Sequence, residues 1–476
     1  MQLSPDLGHG KGRPPRPISF LQLRSLPPAL RPLFRAFLLG YASAVAPRLL
    51  SLLAQHLAPR KTSRPRDEKS DRSLCASALL ILRTALEPRR FPTFCALLVG
   101  LSTLLQGPLR RIIARVAATR LSGIACTRIA TWLASFVASW LSLRLLQSKP
   151  GSHGEAAGRT LDLTLFAISQ AIDVIVGELW ARHRARRSAA HKWTKVEQFI
   201  SRAADTVSFV ASCGPIMWAW FYAPDSLPRS YNKWITSAAH VDTRLLEALR
   251  RCRSGEIRYA QETGQASLLG SLCTDYCLPY EWGDPVKAVP FPCDIVHMGR
   301  GPSCEYHAWC RFWLSWRWSM CTYLPLALAL QLRRPTRRGA LAAFVSACRS
   351  SAFLATFVTL FYYGVCLGRT RLGPHIVGKG VSSRDRIDGG LCVYVGCFLC
   401  GWSVLIETAS RRKDMALFVA PRAMATLLPR RYPAEKQWRE RLAFAASTAV
   451  VLTCVREKPQ RVRGVLGGIL NLAMRQ

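Results

Sequence analysis

Two stretches of this chain are apolar over lengths that the core of a soluble protein seldom requires. Ala340 to Leu367 carries a single charge, Arg349, and Gly390 to Thr408 reads GLCVYVGCFLCGWSVLIET, with Glu407 its one charge. At about 1.5 Å of rise per helical residue, each stretch covers most or all of the roughly 30 Å of hydrocarbon in a bilayer. In lipid every backbone N–H and C=O must be paired internally, so the expected fold is all-α, a multi-spanning helical membrane protein.

The charge balance points to the same surroundings. Lys and Arg number 66 against 28 Asp and Glu, a formal net charge of +38, yet 50% of the residues are hydrophobic. A soluble nucleic-acid binder would carry the charge without the long apolar blocks. The expected partners are therefore the lipid bilayer and its anionic headgroups, each cation near such a surface contributing about 1 kcal/mol. No nucleic acid is expected, and a homo-oligomer is compatible with this reading. The 17 cysteines include Cys366, Cys392, Cys397 and Cys400 inside apolar blocks, where Cys behaves as a small hydrophobe. That usage does not suggest a secreted disulfide scaffold.

Four regions are expected along the chain. Residues 1–30 read as a disordered basic N-terminus without a signal peptide, residues 31–222 as a first membrane bundle, 223–310 as a polar connecting region rich in Cys, Pro and Trp, and 311–476 as a second bundle with a basic C-terminus. Candidate spans are Leu33 to Leu53, Phe91 to Leu109, Ile124 to Leu146, Phe199 to Tyr222, Phe312 to Leu332, Phe344 to Leu367 and Leu391 to Glu407. Leu161 to Trp180 is apolar but contains Asp162, Asp173 and Glu178, as a span lining a polar interior or a helix lying in the interface would. Met415 to Leu428 is a further apolar helix, and Leu442 to Val455 is short for a crossing.

An internal repeat is expected between the halves. Displacing Arg90, Phe94, Ala96, Val99, Leu101 and Arg110 by 259 positions gives Arg349, Phe353, Ala355, Val358, Leu360 and Arg369. Displacing Arg159, Asp162, Leu165, Phe166 and Ala171 by 252 gives Arg411, Asp414, Leu417, Phe418 and Ala423. Two related bundles of this kind are common in membrane transport proteins, where the site tends to lie between the repeats. Ala130, Ala134 and Ala138, beside Ser135 and Ser139, and Gly364 with Gly368, form small-residue stripes suited to close helix packing.

Three elements carry candidate chemistry. Cys293, His297, Cys304 and His307 lie close together in sequence, with Cys273 and Cys277 before them and Cys310 after. Thiolate and imidazole are the ligands zinc prefers, although the Cys-x3-His and Cys-x2-His spacing is not that of a standard finger. A loop packed without metal, or a disulfide such as Cys293 with Cys304, accounts for the same residues. Asp173 and Glu178 are a candidate polar path, since carboxylates in an apolar span are costly. Glu407, just before Arg411 and Arg412, reads as a boundary ion pair. No catalytic residue and no cofactor other than zinc is suggested, so the chain is not expected to be an enzyme.

The block Pro292-Cys293 through Pro302-Ser303-Cys304, followed by Trp313 to Leu332 with Tyr323-Leu324-Pro325-Leu326, resembles the transmembrane protein 135 family. Leu405 to Leu428, WFYAPDSLPRSYNKW from Trp220 to Trp234, and Glu281 to Pro285 are similar to further blocks of that family. The resemblance covers roughly 213–476, and its motif residues here are Cys293, Pro302, Ser303, Cys304 and Pro325. It implies an integral protein of peroxisomal or mitochondrial membranes, with the endoplasmic reticulum as alternative. It further implies a role in lipid homeostasis or organelle dynamics, and distant similarity to the mitochondrial inner-membrane translocase superfamily. The competing expectation is a transporter or channel for a small metabolite or lipid, its path between the two repeats. A membrane enzyme using the Cys/His cluster is the third reading.

Overall fold

The computed structural model describes residues 26–57, 74–116, 122–148, 156–331 and 336–474. The basic stretch 1–25, the charged linker 58–73 and most of the Gly/Ser/His connection near 150 lie outside the described residues. Among the described residues the strands amount to one antiparallel two-residue pair, β1 (Ala156–Ala157) with β2 (Tyr432–Pro433). The chain is an all-α, multi-spanning helical membrane protein: among the described residues six helices are long and apolar enough to cross a bilayer. They are Arg31–Leu53, Phe91–Val116, Gly123–Gln147, Leu161–Ala189, Arg337–Ile376 and Val381–Ile406.

The chain divides into two units. Unit 1 comprises residues 1–152, 448–459 and 466–476, and unit 2 comprises 153–447 and 460–465. In unit 1, α1 (Arg31–Leu57) packs on α2 (Leu74–Ala85) and α3 (Phe91–Leu104), and α3 also packs on α5 (Gly123–Gln147), against which α4 (Gln106–Val116) lies. The Ser122 hydroxyl accepts from the Ala125 N–H and so caps one of the free donors at the start of α5. The burial pattern of α5 is inside-out relative to a soluble helix. Ala130, Ala134, Ser135, Ala138 and Ser139 are fully buried, whereas Ile129, Val137 and Leu141 are exposed. Water would penalise that arrangement, but lipid offers large side chains an apolar surrounding and leaves close backbone approach to drive association.

After β1, unit 2 continues with α6 (Leu161–Ala189) and α7 (Lys195–Tyr222), joined by a short connection. Thr194 and Glu197 form a reciprocal capping box at the start of α7, and Glu197 also meets His183 and Arg187 of α6. The Thr194 backbone N–H, with His183, holds the Glu197 carboxyl down to about 2. Ile172, Ile175, Val176 and Leu179 make an exposed apolar stripe along α6, spaced as one helix face. Short helices α8 (Arg229–Ala239), α9 (Thr243–Ser254), α10 (Ala266–Asp275) and α11 (Cys293–Val296) follow. This connecting region has a small core of its own, in which Ile257, Tyr259, Leu272 and Ile295 are almost wholly inaccessible.

Next come α12 (Cys304–Gln331) and α13 (Arg337–Leu367), then the short α14 (Gly373–Ile376) and α15 (Val381–Arg386), then α16 (Cys392–Cys400) and α17 (Ala409–Thr426). In unit 2, α13 packs on both α12 and α16, as α3 in unit 1 packs on both α1 and α5. The displaced pairs Phe94 and Phe353, Ala96 and Ala355, and Val99 and Val358 are all buried. A π-helical turn, Gly368–Leu372, continues α13, and a second, Ile387–Leu391, precedes α16. The chain then runs through α18 (Gln437–Glu457), which begins in unit 2 and ends in unit 1, to α19 (Gly464–Met474). In unit 1 the end of α18 offers Glu457 to Arg128 at 2.7 Å.

By its contacts the chain divides near residue 152, since α6 and α7 pack on α17 and α7 also packs on α16. The spans expected at Phe199 to Tyr222 and Phe312 to Leu332 fall in α7 and α12, the latter described as far as Gln331, but neither helix is among the six apolar enough to cross. Arg202 and Asp205 in α7, and Arg311 and Arg317 in α12, dilute their apolar runs.

Candidate functional site

The connecting region brings the cysteine and histidine residues together. One turn of α11 places Cys293 and His297 on the same face, where the His297 N–H donates to the Cys293 carbonyl at 2.7 Å. Met298, Gly299 and Gly301 then take positive φ, a run that turns the chain back sharply, and glycine accepts such angles without steric cost. The Ser303 hydroxyl accepts from the Tyr306 N–H at the start of α12, so Cys304 opens that helix beside Cys293. The sulfurs of Cys293 and Cys304 and a ring nitrogen of His297 all lie within 4.8 Å of one another.

His307 does not join them, although the sequence places it among the candidate ligands. Its ring stacks on that of His297, centroids 4.4 Å apart, and its Nε2 accepts from Arg311 Nε at 3.4 Å. A further sulfur, that of Cys366 at the end of α13, lies 3.4 Å from His297 Nε2. Of the other neighbours in sequence, Cys273 is buried in the small core, Cys277 is exposed and Cys310 is half-buried on α12. Burial raises the Cys293 thiol and lowers the His297 imidazole, while burial, His297 and Arg311 bring His307 down to about 3. Without a bound cation, the imidazole pair stays neutral near neutral pH. The motif residues Pro302 and Ser303 form the exposed entry to α12, and Pro325 lies inside that helix.

Next to the cluster is a buried ion pair that the sequence did not announce. Arg369 Nε donates to Asp388 Oδ1 at 2.7 Å and Nη2 to Oδ2 at 2.9 Å, and Nη2 also donates to the Phe291 carbonyl at 3.0 Å. The Tyr259 hydroxyl donates to the same carboxylate. Each π-helical turn supplies one member of the pair.

Of the candidate polar path, Asp173 lines a pocket of about 590 Å³ between α6, α7, α17 and the segment 460–463, whereas Glu178 is not part of its wall. Asp173 accepts from Arg463 Nε at 3.0 Å, and Arg463 also stands 3.6 Å from Asp205 of α7. Glu178 accepts from Arg182 at 3.1 Å and lies 3.4 Å from Arg461. Both carboxylates are therefore ion-paired, which offsets the cost of placing them in an apolar helix. Replacing Asp173 by Ala should lower the melting temperature of the detergent-solubilised protein by the equivalent of about 1–3 kcal/mol, since Arg463 keeps only the longer contact. In the D173A/R463A double variant the two losses should fall short of their sum. Additive losses would show that the pair is not coupled. Glu407 is the expected boundary pair: it lies 3.5 Å from Arg411 and accepts from Ser350 at 2.6 Å.

A second cavity, of about 280 Å³, lies among α7, α8, α12, α13 and α17. Its wall includes Phe209, Ile216, Trp220, Phe353 and Phe361, and Tyr231 and Phe418 also face it. The Arg422 guanidinium stacks on those last two rings, at 5.1 and 3.6 Å from their centroids, and its Nε is buried without a hydrogen-bond partner. Comparison with family models, with curated proteins and with solved structures gives no match to this chain.

Proposed function

We propose that this chain is a non-catalytic integral protein of a peroxisomal or mitochondrial membrane that takes the hydrocarbon part of a lipid into the apolar chamber of unit 2, and so acts in lipid homeostasis. The observation that carries the reading is the chamber itself. It is about 280 Å³ and walled by aromatic and aliphatic side chains, roughly twice the size of an apolar cavity known to accept benzene. A segment of acyl chain suits that volume. Arg422, stacked on two of the facing rings with a free N–H, suits an anionic group at the end of the chain. The resemblance of the Cys-rich block to the transmembrane protein 135 family supports the choice of organelle and the link to lipid. The matching helix order in the two units supports descent from one duplicated bundle.

A photoactivatable, radiolabelled fatty acid in proteoliposomes tests the chamber. Ala238 is buried and lines it, so Ala238→Trp should fill the space and cut labelling at least tenfold. Leu330→Trp, on an exposed position of α12, should leave labelling unchanged. Equal labelling of wild type and A238W would remove the lipid reading. The alternative is a transporter for a small metabolite, favoured by the larger polar pocket with its Asp173–Arg463–Asp205 chain. Solute flux that disappears in D173A while fatty-acid labelling persists would establish it instead.

A further inference from the structure

We propose that Cys293, His297, Cys304 and Cys366 together bind one structural zinc ion that fastens the connecting region to α13. Three of the ligand atoms already lie within 4.8 Å of one another, and the fourth, Cys366 Sγ, is 3.4 Å from His297 Nε2. Cys304 is a neighbour of both Cys293 and Cys366. With Zn–S near 2.3 Å and Zn–N near 2.0–2.1 Å, the edges of a tetrahedral site measure about 3.5–3.8 Å. The His297–Cys366 separation matches that edge, the group of Cys293, His297 and Cys304 closes to it with movements of about 1 Å, and Cys366, which lies outside that group, would close on the other two sulfurs as the ion binds.

The tautomer of His297 is fixed for this role. Its Nδ1 lies 2.7 Å from the Gly301 carbonyl oxygen, which can only accept, so Nδ1 carries the proton and the Nε2 lone pair faces the sulfurs. A second ring nitrogen donating to a backbone carbonyl is the usual support of a metal-bound imidazole. The stacked ring of His307 has its Nε2 engaged by Arg311, which leaves Cys366 as the fourth donor. His297 is inaccessible and Cys366 is 4% exposed, and four protein ligands leave no open position. The site is thus structural in type.

On binding, three thiols release their protons to solvent, three metal–thiolate bonds and one metal–imidazole bond form, and no oxidation occurs. Three thiols gathered around Cys304 and His297 suit this better than a disulfide, which would leave one sulfur over. The ion would join α11, the first turn of α12 and the end of α13.

The test is metal analysis of full-length protein purified in detergent without chelators, with cobalt(II) exchanged for zinc as a spectroscopic probe. Wild type should carry stoichiometric zinc and give the intense visible bands of tetrahedral cobalt thiolate. Cys366→Ser should lower zinc content at least tenfold, while His307→Gln should retain it. Should the serine variant fail to fold, Cys366→His supplies the control: it should keep the metal and shift the cobalt bands as one thiolate is replaced by imidazole, a change that a packing role for Cys366 would not produce. Metal-free wild type, zinc retained by C366S but lost by H307Q, or a Cys293–Cys304 disulfide in the intact protein would each overturn the proposal.

Discussion

Replacing Arg369 by methionine is expected to lower the stability of unit 2 by about 3–5 kcal/mol, the range seen when one member of a buried ion pair is removed. The pair is bidentate, and both side chains are almost fully buried, 7% and 4% exposed. Asp388 would keep only the Tyr259 hydroxyl of its present side-chain partners, and the Phe291 carbonyl would lose a donor. At about 2–4 °C per kcal/mol, the melting temperature in detergent should fall by on the order of 10 °C. Arg369→Lys should recover part of the loss, because an ammonium keeps the charge but not the two-pronged geometry. The double variant R369M/D388L should be more stable than R369M, since it leaves no orphaned carboxylate. If R369M melts with wild type, the pair contributes nothing to the junction of the two π-helical turns.

The second large effect lies where α13 crosses α16. A Cβ on Gly364 would sit 2.7 Å from the Gly396 Cα, and one on Gly396 would sit 2.8 Å from the Phe361 carbonyl oxygen. The obstacle is backbone in both cases, so no side chain can turn aside. Gly364→Ala should cost about 1–3 kcal/mol, and Gly364→Leu should prevent the two helices from packing and yield aggregated protein on size-exclusion chromatography. Gly214, in the interior of α7, provides the contrast, because a Cβ there meets nothing within 4 Å. Gly214→Ala should be neutral or stabilise by up to about 1 kcal/mol through its better helix propensity. Equal behaviour of G364A and G214A would show that the crossing is loose.

These two sites also show what could be read in the sequence. Gly364 was visible as a small residue at helical spacing, and the apolar blocks announced α3, α5, α13 and α16, because hydropathy over a bilayer thickness is a local property. Cys293, His297 and Cys304 were visible for the same reason, being close along the chain. Cys366 was not, since a thiol within an apolar helix reads as a small hydrophobe until folding brings it to His297. The Arg369–Asp388 pair and the Asp173–Arg463 pair were hidden similarly: each charge has an ordinary neighbourhood in sequence, and only tertiary structure supplies its partner. The division near residue 152 depends on which helices α6 and α7 pack against, which no local property of the sequence carries.

The path of the chain between its two units has a consequence for the timing of synthesis. Unit 1 contains the first five helices, yet residues 448–459 and 466–476 also belong to it. A ribosome delivers α1 to α5 first and then residues 153–447, the bulk of unit 2, before those closing segments emerge. Domains commonly fold in the order in which they are made. Here the earliest helices must wait in the membrane, incompletely partnered, through the synthesis of nearly three hundred further residues. For that interval unit 1 is the natural client of insertion factors and chaperones, and unit 2, although later in sequence, is the first to be finished.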